Sequence, residues 1–310
     1  MPRKNPIWLV LLLGAVLGWS GCLFRSHKVP TLTTASNVRT ATLQELVATL
    51  DNFDNAVKTL NATVDIDTSV GGAKKGKVTE YQEIRGYILM RKPEQLRMIG
   101  LFPVVRNRAF DMVSDAKGFK LSIPAKNKFI VGPPDVTTPS TNTLENLRPN
   151  VIYDALLLPG IDPKTDVAVL ENQLETFTDA KTKNQMAFPT YVVDVIKRGP
   201  AGWYLYRKVV FSRVDLLPHH QMIYDKTGTM VTEATYDNVE EFNGIKFPTL
   251  IHIVRPLEEY TIDLHMVKLT LNEPLKDDQF ALAQPAGSQL VNLNGQSAQK
   301  ETPGGDGEKK

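Results

Sequence analysis

Around residue 60 the apolar period of this chain changes from 3.6 residues to 2, and with one short interruption it stays near 2 as far as residue 271. Before the change, Leu43, Leu46, Val47, Leu50, Phe53, Val57 and Leu60 fall at helical spacing. Thr42-Leu43-Gln44-Glu45 fits a capping box, in which hydroxyl and carboxylate satisfy free backbone N–H groups. The pattern predicts an amphipathic helix over residues 42–60, about five turns long. After the change, Val64, Ile66, Thr68 and Val70 alternate with Asp65, Asp67 and Ser69, the pattern of a half-buried strand. One amphipathic helix followed by many alternating segments requires an antiparallel sheet with one covered face.

Further strands are predicted at 84–90, 110–113, 119–123 and 129–131, with Asp115-Ala116-Lys117-Gly118 as a hairpin turn. A Pro- and Thr-rich loop at 133–143 leads to a short helix over 149–158. Pro149 suits its first position, where a missing N–H costs nothing. Strands resume at 191–197, 203–213, 221–224, 229–236, 249–254 and 260–271, separated by turns such as Asp225-Lys226-Thr227-Gly228 and Asn243-Gly244. In the last strand Tyr260, Ile262, Leu264 and Met266 share a face before Val267, Leu269 and Leu271 take over, which predicts a bulge. The fold class expected is mainly β (α+β), with about ten to eleven strands. A sheet that long must curl, and two helices suffice to cover its open side. The boundaries expected are a leader over 1–21, a tether over 22–40, one folded domain over 41–282 and a disordered polar tail over 283–310.

The N-terminus carries its own signal. Arg3 and Lys4 precede an apolar run over 7–19, which is short of the ~20 residues of a membrane span. Ser20-Gly21-Cys22 follows, and Cys22 is the only cysteine of the chain. The arrangement resembles the lipobox of bacterial lipoproteins, with Trp19 where a Leu is usual. The resemblance implies lipidation of Cys22, anchoring to a membrane, and a place in the cell envelope. Leu23 in place of an Asp implies the outer membrane, facing the periplasm. Loss of residues 1–21 removes Arg3 and Lys4 and no acid, bringing the formal charge from +2 to zero. A neutral domain has no electrostatic footprint for nucleic acid. A lipidated Cys22 leaves no thiol for disulfides, zinc sites or nucleophilic catalysis.

Other motifs carry little chemistry. Gly71-Gly72-Ala73-Lys74-Lys75-Gly76-Lys77 has the spacing of a phosphate loop, but Val78 stands where a magnesium-binding hydroxyl is needed. It reads as a solvated turn. His219 and His220 are adjacent and so point apart, and His252 and His265 lie in strands with core-like neighbours. Asp277-Asp278 and Glu258-Glu259 read as solvated turn acids. No Ser sits in a Gly-flanked elbow. No catalytic residue, metal ligand or cofactor is assigned, and an enzyme is not expected. Large apolar side chains at Tyr87, Leu89, Phe110, Met112, Leu205, Val209 and Phe211 are the candidate lining of a cavity; they serve equally well as plain core.

Phe110-Asp111-Met112-Val113-Ser114-Asp115 with Gly118-Phe119, then Gly244-Ile245-Lys246-Phe247-Pro248 and Asn272-Glu273-Pro274-Leu275, together with the element order, make the chain similar to the LolA/LolB-like superfamily of lipoprotein carriers and receptors. That resemblance covers residues 42–282. It implies an unclosed antiparallel β-barrel, helices as a lid, and acyl chains of lipid or lipoproteins as ligand. A periplasmic protein partner follows from the same likeness. The competing expectation is a scaffolding lipoprotein of the same fold with a filled interior. Cys22→Ser should leave the protein unlipidated, either soluble or as an uncleaved precursor. Metabolic labelling with a fatty acid checks this, and undiminished label would contradict the lipoprotein reading.

Overall fold

The computed structural model describes residues 33–34, 37–115, 117–133, 148–178 and 185–293. The leader, Cys22, the 133–143 loop beyond Pro133, and the tail beyond 293 lie outside the described residues. The first helix, α1 (Leu43–Ala56), starts at the expected capping box. Thr42 Oγ1 accepts the Glu45 N–H at 3.3 Å, and the Glu45 carboxylate accepts the Thr42 N–H at 2.7 Å. It ends a turn earlier than the apolar spacing predicts. Asn272 intervenes there: its Oδ1 accepts the Lys58 N–H at 2.8 Å and its Nδ2 donates to the Ala56 carbonyl at 2.8 Å. Leu60 is thereby delivered to a strand, where it pairs with Leu271.

Sixteen strands form one sheet. Before the second helix come β1 (Thr33–Thr34), β2 (Thr59–Gly72), β3 (Lys77–Glu80), β4 (Ile84–Arg91), β5 (Gln95–Leu101), β6 (Arg108–Ser114), β7 (Phe119–Ile123) and β8 (Lys128–Gly132). Then α2 (Pro149–Leu157) intervenes, and Leu158 ends it in the left-handed conformation. After it run β9 (Asp166–Thr178), β10 (Gln185–Gly199), β11 (Gly202–Ser212), β12 (Pro218–Tyr224), β13 (Met230–Phe242), β14 (Ile245–Arg255), β15 (Tyr260–Leu271) and β16 (Gln289–Asn292). Their order is β1-β10-β11-β12-β13-β14-β15-β2-β4-β5-β6-β7-β8-β16, with β9 beside β10 and β3 beside β2. Pairing is antiparallel except for the short β1 and β16, which run parallel to β10 and β8. The helix α2 packs against both β6 and β14, which lie far apart in that order. Only a strongly curled, unclosed sheet brings those strands to one helix.

The interior is filled by two apolar clusters. The larger joins α2 to strands of both halves, with Leu60, Ile88, Met98, Leu121, Ile251 and Leu264 all buried. The smaller seats Leu46 and Leu50 of α1 on Tyr191, Val193, Val195, Val209 and Phe211 of β10 and β11. The bulge expected in the last strand is present, as a register shift between Met266 and Lys268 against β2. The Asp115 turn is present too, with the Asp115 carboxylate accepting the Lys117 and Gly118 N–H groups.

Three expectations are corrected. Among the described residues the strand number is sixteen: β1, β3 and β16 are only two to four residues long, while β5 and β9 are additional strands that the reading by alternation passed over, although Leu96 and Met98 of β5 do alternate inward. The short helix does not lie over an open side as a cover: six of its nine residues are buried, since it lies within the core cluster. Residues 283–293, expected within the disordered tail, include β16, which pairs with β8 in register from Lys128–Gln289 to Val131–Asn292.

Candidate functional site

The seven apolar candidates are not brought together. Phe110 and Met112 are buried in the larger cluster, Val209 and Phe211 in the smaller. Tyr87 is exposed and Leu89 half-buried, because β4 turns Ile88 and Met90 inward and so sends its odd-numbered neighbours outward. Leu205 is half-buried beside a register shift, where it pairs with Ile196. None of the seven lines the apolar groove that the structure does contain.

That groove runs between the C-terminal half of α1 and the β13–β14 hairpin, with a volume of about 220 Å³. Phe53 and Ala56 of α1, Leu158 after α2, and Val239, Ile245 and Pro248 of the hairpin form its walls. Asn243 and Gly244 both take positive φ, 51° and 80°, the backbone that a tight hairpin turn requires. Phe53 stacks on Phe247 with ring centroids 5.8 Å apart, tying helix to hairpin. Lys246 stands at the rim. Two other depressions, beside β6–β8 and beside α2, are lined by Asp115 and Lys117 or by Glu94 and Asp154, and are polar in character.

A buried polar hub lies next to the groove. Arg207 of β11 is 2% exposed. It donates to the Gln221 side chain at 3.3 Å and to the Gly160 carbonyl at 3.4 Å. Gln221 donates in turn to the Asp154 carbonyl at 3.4 Å and the Tyr236 hydroxyl at 3.3 Å. All four bonds are long, and Arg207 Nε has no acceptor among the described residues. Asp51 of α1 accepts the Ile161 N–H at 3.0 Å. The segment leaving α2 is thus pinned by β11 on one side and by α1 on the other. Burial pushes the Asp154 carboxyl up to about 6, against the partial opposing pull of Arg207 and Lys197.

Each strand histidine has a carboxylate partner that sequence spacing did not reveal. His219 meets Asp215 at 2.9 Å, His220 meets Glu233 at 2.7 Å, and His252 meets Asp263 at 2.5 Å. His265 lies 3.9 Å from Asp67 across the β2–β15 pair. The partners face one another across strands or a turn, and none of these sites gathers three ligating groups among the described residues. The bond to Asp215 raises His219, and His219 in turn lowers Asp215 against the opposing effect of burial. Glu258 and Glu259 are engaged, not solvated: Glu258 pairs with buried Arg255 at 2.6 Å, and Glu259 accepts the Lys74 and Lys75 N–H groups.

The β5–β6 loop presents the most exposed apolar surface among the described residues. Val104 is 97% and Val105 65% exposed, flanked by Phe102, Pro103, Arg106 and Arg108. Val104 has φ of 64°, and a β-branched residue in that region is strained by about 1–3 kcal/mol. The turn is held by Phe102 N–H to the Asn107 carbonyl at 2.8 Å and Arg106 N–H to the Phe102 carbonyl at 3.0 Å. No helix among the described residues is long and apolar enough to cross a membrane.

No protein-family model and no curated protein matches the chain. Solved structures are similar to it at low identity. A LolA superfamily protein from Nitrosomonas europaea is 15% identical, with a TM-score of 0.46, over 78% of this chain and 99% of that one. A DUF1329 family protein from Desulfovibrio piger is 13% identical, with a TM-score of 0.49, over 78% and 98%. A domain from Vibrio parahaemolyticus described as an outer membrane lipoprotein-sorting protein is 11% identical, with a TM-score of 0.47, over 77% and 97%.

The hub gives a stability prediction with a definite sign. The folded protein holds the Asp154 proton up to about pH 6, whereas an unfolded chain releases it near its ordinary value of 3.8. Stability therefore falls as pH rises from about 4 to 6, because the folded state binds more protons there. Asp154→Asn should remove that fall and be the more stable protein at pH 7, by about 1–3 kcal/mol. Urea unfolding at pH 4 and pH 7 measures it. A variant less stable than wild type at pH 7 would mean that charged Asp154 is a needed partner of Arg207.

Proposed function

We propose that this protein is a lipid-anchored envelope protein that receives an acyl chain of a lipid or lipoprotein in the groove between α1 and the β13–β14 hairpin. The carrying observation is the groove itself, whose walls are apolar side chains with Lys246 at the edge. Acyl chains ask for that kind of site, since they bind by burial and offer no directional chemistry. The volume decides how much can enter. About 220 Å³ is below the roughly 300–1,000 Å³ of sites that enclose a whole small molecule. If about five methylenes enter, they contribute ~4 kcal/mol, a dissociation constant near millimolar. Tighter capture requires α1 to move away from the hairpin, so α1 is the lid, held at this seam by the Phe53–Phe247 stack and by the Asp51 bond to the Ile161 N–H.

Transfer then needs contact with a bilayer. Lipidated Cys22 supplies the tether, probing surface comes from the β5–β6 loop, and Arg106 and Arg108 suit anionic headgroups. The transfer is an exchange of one apolar environment for another, with no covalent step. A second reading, a scaffold that docks a protein partner, is favoured by one observation: the interior beneath the helices is filled.

Two experiments separate these. Val239→Asp places a charge on the groove wall at a half-buried position. It should weaken displacement of a fluorescent fatty acid at least tenfold while the circular dichroism is unchanged; unaltered binding by a folded variant would exclude the groove and favour the scaffold. Separately, Val104→Asp with Val105→Asp, in the unlipidated Cys22→Ser protein, should reduce co-sedimentation with phosphatidylglycerol vesicles several-fold. Equal sedimentation would show that the loop does not meet the membrane.

A further inference from the structure

The exposed edge of β9 is unlike the other long strands. Among the described residues it pairs with β10 alone, and that ladder runs without a break from Thr178–Gln185 to Asp166–Lys197. Along its thirteen residues every second one therefore directs its backbone N–H and C=O away from β10, toward a further strand. Of the usual protections of an edge, β9 has no Lys, no Pro and no bulge, and carries only the acids Asp166, Glu171 and Glu175. It also carries Val167, Val169 and Leu174 at 44%, 41% and 52% exposure.

We propose that β9 is a self-complementary dimer edge, pairing antiparallel with β9 of a second copy about a two-fold axis at Asn172. The charge pattern selects this occupant. Asn172 is the middle residue of the strand, so this register pairs all thirteen residues with their copies. In it Asp166 falls opposite Thr178, Glu171 opposite Gln173 and Glu175 opposite Val169, so no acid faces an acid. Leu170, which packs on the smaller core cluster, falls opposite exposed Leu174 and extends that apolar surface across the axis. Moving the axis one residue either way sets Glu171 against its own copy or against Glu175, and like charges directly opposite destabilise a pair. Sheet faces match in each of these registers, since the side-chain period is 2. Charge therefore makes the choice, and it favours the register with the longest overlap.

The chain's single cysteine makes the test clean. In full-length Cys22→Ser protein, an introduced cysteine is unique. Residues directly opposite in an antiparallel pair have Cα atoms about 4.5–5.5 Å apart, within disulfide range. Asn172→Cys should oxidise to a covalent dimer. Gln173→Cys alone should not, but Gln173→Cys mixed with Glu171→Cys should. Light scattering of the same protein at tens of micromolar should give the mass of two chains, and Asn172→Lys should give one. A single-chain mass with free exchange of those β9 amides that point away from β10 would overturn the proposal. So would protection of the same outward amides in a monomer, which means a different occupant, or cross-linking of Gln173→Cys as readily as Asn172→Cys.

Discussion

The pairing of β2 with β15 joins two halves of sheet that are otherwise separate. Strands β4 to β8 attach through β2, strands β10 to β14 attach through β15, and residues Leu60 to Val70 and Tyr260 to Leu271 hold them together. Almost two hundred residues lie between these partners, so the loop-closure cost is met only when the long ladder forms as a whole. Asn272, just beyond the ladder, binds the end of α1 and the start of β2. One junction thus fixes the sheet order, stops the first helix and sets where the α1 wall of the groove stands.

From that junction the rest follows by packing. The curled sheet must fill its concave side, and α2 does so from within, leaving α1 to cover the smaller cluster over β10 and β11. Where α1 passes from cluster to hairpin, the stacked Phe53 and Phe247 hold contact but leave the groove beside them. The polar hub lies at the same seam. A buried arginine with long bonds and one unpaired donor is poorly compensated for its lost hydration. The exit of α2 is thus held by long polar bonds on the β11–β12 side and by the 3.0 Å Asp51 bond on the α1 side.

Local chemistry was legible in the sequence and juxtaposition was not. The capping box at Thr42, the Asp115 turn and the bulge after Met266 depend on neighbours within a few residues, and each is present. Strand β4 shows why side-chain direction was lost. Tyr87, Ile88, Leu89 and Met90 are all apolar, so alternation gives no parity, and only the ladder decides that Ile88 and Met90 face inward. Strand β9 was missed because its outward positions are Glu171, Gln173 and Glu175, as suits an edge. The groove was missed because its walls come from three distant segments, Phe53 of α1, Leu158 after α2, and Val239 with Ile245 of the β13–β14 hairpin, of which the hairpin left a local mark in its Asn243-Gly244 turn. The same holds for His220, His252 and His265, whose carboxylates arrive from other strands, whereas His219 meets Asp215 only four residues away across a turn.

A filled, curled sheet can still admit an acyl chain at its seam if α1 lifts from the hairpin. The decisive measurement is native mass spectrometry of the protein released gently from cell envelopes with detergent. Protein carrying one non-covalent acyl-bearing adduct, over and above any covalent modification and exchangeable when lipid or acylated peptide of another mass is added, is the expected result. A folded protein that stays empty under those conditions would rule acyl binding out.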